Sequence, residues 1–329
     1  MSSRFQLKKA IPTLGLASSE RSSNSSGTII SLDIHTKIVF QNVDGSNLHE
    51  YFLPSNRHIQ NCGGYIDKLI KYRSPEIRMA VLEFIKSGDK KDQLPDILQG
   101  RSILVDTILA EMTERFVGEN PTKRAKIFDH GCTVAEHYEM LDQMLYARSG
   151  LTNAQCISYF GLDVSPLVLS AARMLHPSAP KEHFHLALAE GSDISMPENS
   201  MDFSISIGVI NHVQKPLQAL ERLIEVTRYA TIVVIWVTGE NEGFWATNHS
   251  GIPNYFFSVN DLKKLSARHS SKGNFYFLDF TPETSSTQPS SYVGLSGEAI
   301  SQMGSYTMIF CNKKYKSKKM NLINLQDKL

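Results

Sequence analysis

The sequence has no hydrophobic run near the ~20 residues that a bilayer-spanning helix requires. Its first ten residues carry charge but lack the apolar core of a secretory signal. Cysteine is scarce: Cys62, Cys132, Cys156 and Cys311 are scattered through 329 residues with no C-x-x-C pair. That is the usage of a reducing compartment, with neither a disulfide framework nor a zinc knuckle. An excess of charge of one sign is missing too, since 34 Lys and Arg face 33 Asp and Glu for a net charge of +1. Such a balance gives no reason to expect nucleic-acid binding by the chain as a whole. These absences lead to the expectation of a cytoplasmic protein that does not engage a membrane.

What remains is an ordinary globular composition, 41% hydrophobic, over a length that accommodates one large α/β domain and an appended segment. Residues 1–27 are rich in Ser and read as a flexible leader. Two short alternating runs, residues 28–34 and 37–43, read as a β-hairpin with His35 in its turn. From Asn56 the pattern is helical, with Ile66, Leu69 and Ile70 on one stripe. Ser74-Pro75-Glu76 supplies an N-cap, a first-position proline and a first-turn acid to a helix carrying Ile77, Val81, Leu82 and Phe84. A third helix over residues 102–116 aligns Leu104, Ile108, Leu109 and Met112. Residues 28–120 thus form a hairpin-and-helix cap ahead of a domain spanning 121–312, with a basic tail over 313–329.

That domain is organised around residues 125–164. A short apolar run ends in Asp129, a small-residue turn follows (Gly131, Cys132, Thr133, Val134, Ala135), then a helix from Glu136, then a second apolar run ending in Asp163. Strand, turn, helix and strand with an acid closing each strand is the opening of a Rossmann-like unit. The N–H groups of the turn and of the helix N-terminus face a polar or anionic ligand group, and the second acid suits a ribose diol. Asp163-Val164-Ser165-Pro166 then starts the next helix.

These residues resemble the class I S-adenosylmethionine-dependent methyltransferases. That family's first motif is acid-x-Gly-x-Gly-x-Gly; here Asp129 and Gly131 match it, while Thr133 and Ala135 replace the second and third glycines. Both are small, but neither tolerates positive φ as glycine does. The resemblance continues in Glu190-Gly191-Ser192-Asp193-Ile194-Ser195-Met196-Pro197 and in Asp202-Phe203 entering a fourth strand. It continues through Ile207, Asn211 and His212 after that strand, a β-branched fifth strand over 231–237, an aromatic-Ser start to the last crossover helix within 254–267, and a final antiparallel pair over 275–280 and 306–311. It implies a doubly wound, mostly parallel Rossmann-like α/β sheet of about seven strands ending in an antiparallel strand, and S-adenosylmethionine as cofactor. It assigns Asp129, Gly131, Thr133, Ala135, Asp163, Val164, Ser192, Asp193, Ile194 and Ile207 to the cofactor. In that assignment Asp193 accepts from the adenine amino group and Ile194 packs on its ring.

The reaction implied is in-line displacement of a methyl group from a sulfonium, in which alignment supplies much of the rate. His212 is the candidate base and Asn211 the candidate orienting group, because ligands gather at the carboxyl ends of strands in open α/β sheets. A helix-start role for His212 stands beside the catalytic one, and His130 reads either as ligand-facing or as structural. His183 and His185 share a strand face but lack a third ligand, so no metal is expected. Tyr65 and Tyr72 on the cap read as core or as pocket residues. Phe244, Trp245, Tyr255, Phe256 and Phe257 read either as an aromatic substrate wall or as packing for the last helix. The Ser- and Pro-rich residues 281–304 suggest a lid. A small organic methyl acceptor fits the neutral charge and the aromatic segment, and a homodimer is admitted. The rival reading is a catalytically inactive pseudo-methyltransferase that binds or activates a partner. A nicotinamide-dependent oxidoreductase is disfavoured by the spacing of the turn.

Overall fold

The computed structural model describes residues 56–87, 101–247, 252–279 and 304–313. The expected leader, the hairpin over 28–43, the lid over 281–304 and the basic tail lie outside the described residues, save for the tail's first residue and the lid's last. Three helices come first: α1 (Asn56–Tyr72), α2 (Pro75–Ser87) and α3 (Arg101–Glu119). The break between α1 and α2 falls at Ser74, whose Oγ accepts from the Ile77 N–H at 3.3 Å, with Pro75 opening the new helix.

Strands and helices then alternate: β1 (Ala125–His130), α4 (Glu136–Ser149), the single turn α5 (Asn153–Cys156), β2 (Ile157–Asp163), α6 (Pro166–Leu175), β3 (Phe184–Leu188), β4 (Met201–Ser206), α7 (Pro216–Val226) and β5 (Thr227–Thr238). A hairpin, β6 (Phe244–Thr247) and β7 (Pro253–Ser258), precedes α8 (Val259–His269), β8 (Gly273–Asp279) and β9 (Gly304–Asn312). The sheet has nine strands, with β3, β2, β1, β4 and β5 parallel in that spatial order. β9 lies antiparallel against β5, and β8 pairs antiparallel with β9 at the far edge. Chain order reverses between β1 and β4, which opens a ligand crevice above their carboxyl ends.

Alternation along each strand builds two apolar layers. Ile127, Ile205, Ile232 and Val234 pack on one face with Leu109, Met112, Leu141 and Met144 of α3 and α4. Phe128, Val233 and Ile235 pack on the other with Leu220 and Leu223 of α7 and Leu262 of α8. Asp202, at the entry to β4, is buried where it accepts from the Lys126 N–H at 2.9 Å and pairs with Arg228 at 2.8 Å.

Two expectations need correction. Ile70 is 56% exposed, because α1 docks on α6 and α4 through the narrower seam of Cys62, Ile66 and Leu69. The stretch before α8, expected to start that helix directly, is instead strand β7 of a hairpin. Val237 and Thr238 of β5 pair with Phe257 and Ser258 of β7 in parallel, beyond the point where β4 ends at Ser206. The hairpin therefore stands over the carboxyl ends of β4 and β5. Ser258 still caps α8, accepting from the Asp261 N–H at 3.0 Å while Asp261 accepts from the Ser258 N–H at 3.1 Å.

Candidate active site

The turn after β1 is held from below. The N–H groups of Gly131 and Cys132 both donate to the Leu162 carbonyl, at 2.7 and 2.9 Å. A Cβ on Gly131 would stand 2.1 Å from the Val209 side chain, and one on Gly161 would stand 2.7 Å from Cys132 Sγ. Only glycine permits either approach. Gly131, Thr133 and Ala135 all have left-handed backbones, with φ of 80°, 46° and 59°. Thr133 and Ala135 thus hold a positive φ that they tolerate less well than glycine does. The clamp to Leu162 and the Ala135 N–H bond to the Cys132 carbonyl (2.7 Å) hold the turn in its glycine shape, at a cost of about 1–2 kcal/mol per residue. Ala135 is also the N-cap of α4 and offers no side-chain acceptor to that helix's first N–H groups.

The two aspartates differ in situation. Asp163 Oδ2 accepts from the Thr133 N–H at 3.0 Å and Oδ1 from the Ser165 N–H at 2.9 Å, so its carboxylate is fixed beside the turn. Asp129 is 1% exposed beneath it and accepts from the Tyr159 hydroxyl at 2.5 Å. Burial raises the Asp129 carboxyl to about 6, against the opposing pull of the nearby His137 cation and the Tyr159 hydrogen bond. His130 faces the protein interior: Nε2 donates to the Gly191 carbonyl at 2.7 Å and Nδ1 accepts from the Ser206 hydroxyl at 2.9 Å. Burial lowers it to about 4, so it is neutral.

After β3, the Glu190 carboxylate ties the next loop to the segment after β4. It accepts from the Ser192 N–H at 2.6 Å and the Gln214 N–H at 3.1 Å, while Ser192 Oγ accepts from the Lys215 N–H at 2.8 Å. Asp193 is exposed. Ile194 is buried with Met196 in the α7 layer, and Val164 and Ile207 are half-buried. Asn211 and His212 form a short turn after β4 that grips the hairpin. Asn211 Nδ2 donates to the Tyr255 carbonyl at 2.5 Å, and His212 Nδ1 donates to the Pro253 carbonyl at 2.7 Å. That bond makes Nδ1 the donating nitrogen of the His212 ring.

Residues 131–235 match the family described as "Methyltransferase domain". The matched span runs from the turn after β1 into β5. Among curated proteins none matches the chain. Solved structures similar to it include a putative sarcosine dimethylglycine methyltransferase from Galdieria sulphuraria, 13% identical over 70% of this chain and 96% of that one, with a TM-score of 0.43. An S-adenosylmethionine-dependent methyltransferase from Mesorhizobium loti is 14% identical over 65% and 99%, with a TM-score of 0.39. A 1,6-didemethyltoxoflavin-N1-methyltransferase from Burkholderia thailandensis is 14% identical over 73% and 90%, with a TM-score of 0.37.

Several residues of the candidate site escaped the sequence reading. Glu190 was visible only as the start of a run, and its double N–H acceptance follows from the fold. The hairpin had a signal in the aromatic alternation of 244–247 and 253–257. Its faces are Phe244, Ala246 and Phe256 with Trp236 on one side, and Trp245 and Tyr255 with Phe257 on the other. Tyr72 is core, 4% exposed, whereas Tyr65 is half-buried, and burial with the Asp163 and Glu136 carboxylates raises its hydroxyl. α1 therefore runs beside the turn after β1. His183 and His185 spend their ring nitrogens on Ser158 and the Glu182 carbonyl. Among the described residues no cluster of His, Cys, Asp or Glu is arranged to hold a metal, and no helix is long and apolar enough to cross a membrane.

Proposed function

We propose that this protein transfers a methyl group from S-adenosylmethionine to a small organic acceptor by in-line displacement. The observation that carries the proposal is the turn at 131–135. It keeps the left-handed shape of a three-glycine loop at Thr133 and Ala135, beside a carboxylate, Asp163, pinned by two backbone N–H groups. A fold that had abandoned the ligand would have no reason to retain that strain. When bound, S-adenosylmethionine supplies a methyl on a sulfonium sulfur.

The residues divide the remaining work. Asp163, fixed beside the turn by the Thr133 and Ser165 N–H groups, accepts from a ribose diol. Asp193 and Ser192 border the adenine end. His212, just beyond the carboxyl end of β4, removes a proton from the acceptor as the methyl arrives. Asn211 holds the hairpin that carries the aromatic wall, and the cap helices close the opposite side. The near-neutral charge and the aromatic hairpin favour a small organic acceptor over nucleic acid.

A screen of small metabolites for label transfer from methyl-labelled cofactor tests the reading. Transfer to an acceptor is expected, and His212→Ala should lower turnover at least tenfold with cofactor affinity within about twofold. Cofactor binding with no transfer to any acceptor would favour the inactive, partner-binding alternative. Equal losses in turnover and affinity in the variant would make His212 structural.

A further inference from the structure

The net charge of +1 hides an uneven distribution. Cations lie side by side at the amino ends of the parallel strands, the end of the sheet opposite the ligand crevice. Lys123, Arg124 and Lys126 stand at the start of β1 and Arg228 at the start of β5, while Lys313 follows β9 and Lys272 precedes β8. The antiparallel register carries the row across the sheet, since Ala230 pairs with Cys311 and Gly273 with Asn312. The Lys313 N–H donates to the Lys272 carbonyl at 2.9 Å. The row crosses the neighbouring strands β1, β4, β5, β9 and β8, a width of roughly 19 Å.

Acids do not neutralise this row. Burial raises the Asp202 carboxyl while Arg228, Lys126 and Lys123 pull it down, so three cations gather round one covered acid. Glu119 is paired with Arg115 at 3.0 Å and Glu225 with Arg222 at 2.5 Å. Glu198 is exposed in the loop that enters β4. None of the ion pairs among the described residues involves Lys123, Lys126, Lys272 or Lys313. Lys123, Lys272 and Lys313 are exposed. Lys313 also opens the basic run, in which Lys314, Lys316, Lys318 and Lys319 come next in the sequence, followed by Met320, Leu322, Ile323 and Leu325. The residues after Lys313 lie outside the described ones, but the run sets out from this row.

We infer that this end of the sheet docks on an anionic lipid surface, the row of cations and the basic run after it meeting the headgroups. Charge complementarity selects a polyanion. The composition of the run selects lipid, because five lysines within residues 313–319 are followed at once by apolar residues, the pairing of charge and apolar surface that an interface holds. A single-stranded nucleic acid wants open aromatic rings on which bases stack, whereas Tyr229 and Tyr276 near the row pack into the α3–α4 layer. Lying on a membrane needs no spanning helix, so the lack of one in the sequence does not bear on this. Docking by this end turns the carboxyl ends of β1 and β4 away from the lipid. The inference therefore stands or falls apart from the cofactor reading.

Co-sedimentation of the whole chain with vesicles provides the test, comparing phosphatidylcholine alone with phosphatidylcholine that carries about one third phosphatidylserine. The anionic vesicles should bind about tenfold tighter or more, and less so as salt rises. Lys123→Glu with Lys272→Glu, one from each half of the row, should weaken that binding by about tenfold or more. Lys263→Glu with Lys264→Glu makes the same change of charge at exposed positions of α8, and should leave it within about twofold. Lys123→Gln with Lys272→Gln, a gentler change, should show a smaller loss in the same direction, which guards against a fold lost in the first pair. No preference for the anionic vesicles, no loss in the first pair, or equal losses in the two glutamate pairs would each overturn the inference. So would tighter binding to single-stranded polyuridylate than to the anionic vesicles.

Discussion

Thr133 is a β-branched residue at a φ of 46°, a region that such side chains rarely enter. Its replacement by glycine should therefore stabilise the fold, by roughly 0.5–1 kcal/mol after the entropy of the added glycine is subtracted. A lower midpoint in urea for Thr133→Gly would show that the threonine hydroxyl or methyl contributes more than the strain costs. The buried imidazoles make a second prediction. His130 and His176 are each lowered by burial to about 4, the Arg73 guanidinium adding to the effect at His176. The unfolded chain protonates both near 6.5, so their contribution is present above that pH and is lost as the pH falls towards 4. Asp129, raised by burial to about 6, acts in the opposite sense, its contribution growing as the pH falls through 6. His137, which Asp106 raises to about 10, also opposes them; the two neutral histidines outweigh it and Asp129, and the protein should be less stable at pH 5 than at pH 7. Urea unfolding at the two pH values checks this, with His130→Gln expected to shrink the difference. A protein more stable at pH 5 would contradict the neutral assignment of these rings.

At the level of elements, the parallel strands and their helices were legible because each carries its own punctuation: Ser74-Pro75, Ser165-Pro166 and the apolar run ending at Asp163. The β6–β7 hairpin was not, because it lies among aromatic residues whose alternation also suits the approach to a helix, and because Ser258 announces α8 so clearly. The candidate site was legible in its backbone frame, Gly131 to Asp163, and less so where side chains from distant elements meet. Lys68 and Glu136 are 68 residues apart, and nothing local in either segment foretells the pair. The hairpin's hold on the turn after β4 makes a prediction at this scale. Asn211→Ala removes the donor to the Tyr255 carbonyl and leaves that group unpaired, a loss of about 1–3 kcal/mol. Amide exchange over 253–257 should accelerate while β1 and β2 stay protected; uniform acceleration through the sheet would mean that the hairpin is no separate unit.

For the molecule as a whole, the nine strands, two apolar layers and helices of the described residues surround the carboxyl ends of β1 and β4, and the account depends on an adenosyl ligand lying there. Calorimetric titration of the chain with S-adenosylhomocysteine, beside its Asp163→Ala variant, addresses that dependence most directly. One site per chain is expected, with affinity at least about tenfold weaker in the variant, as befits the loss of a charge-assisted bond to a ribose diol. No binding by the unmodified protein, or equal affinity in the two, would contradict it.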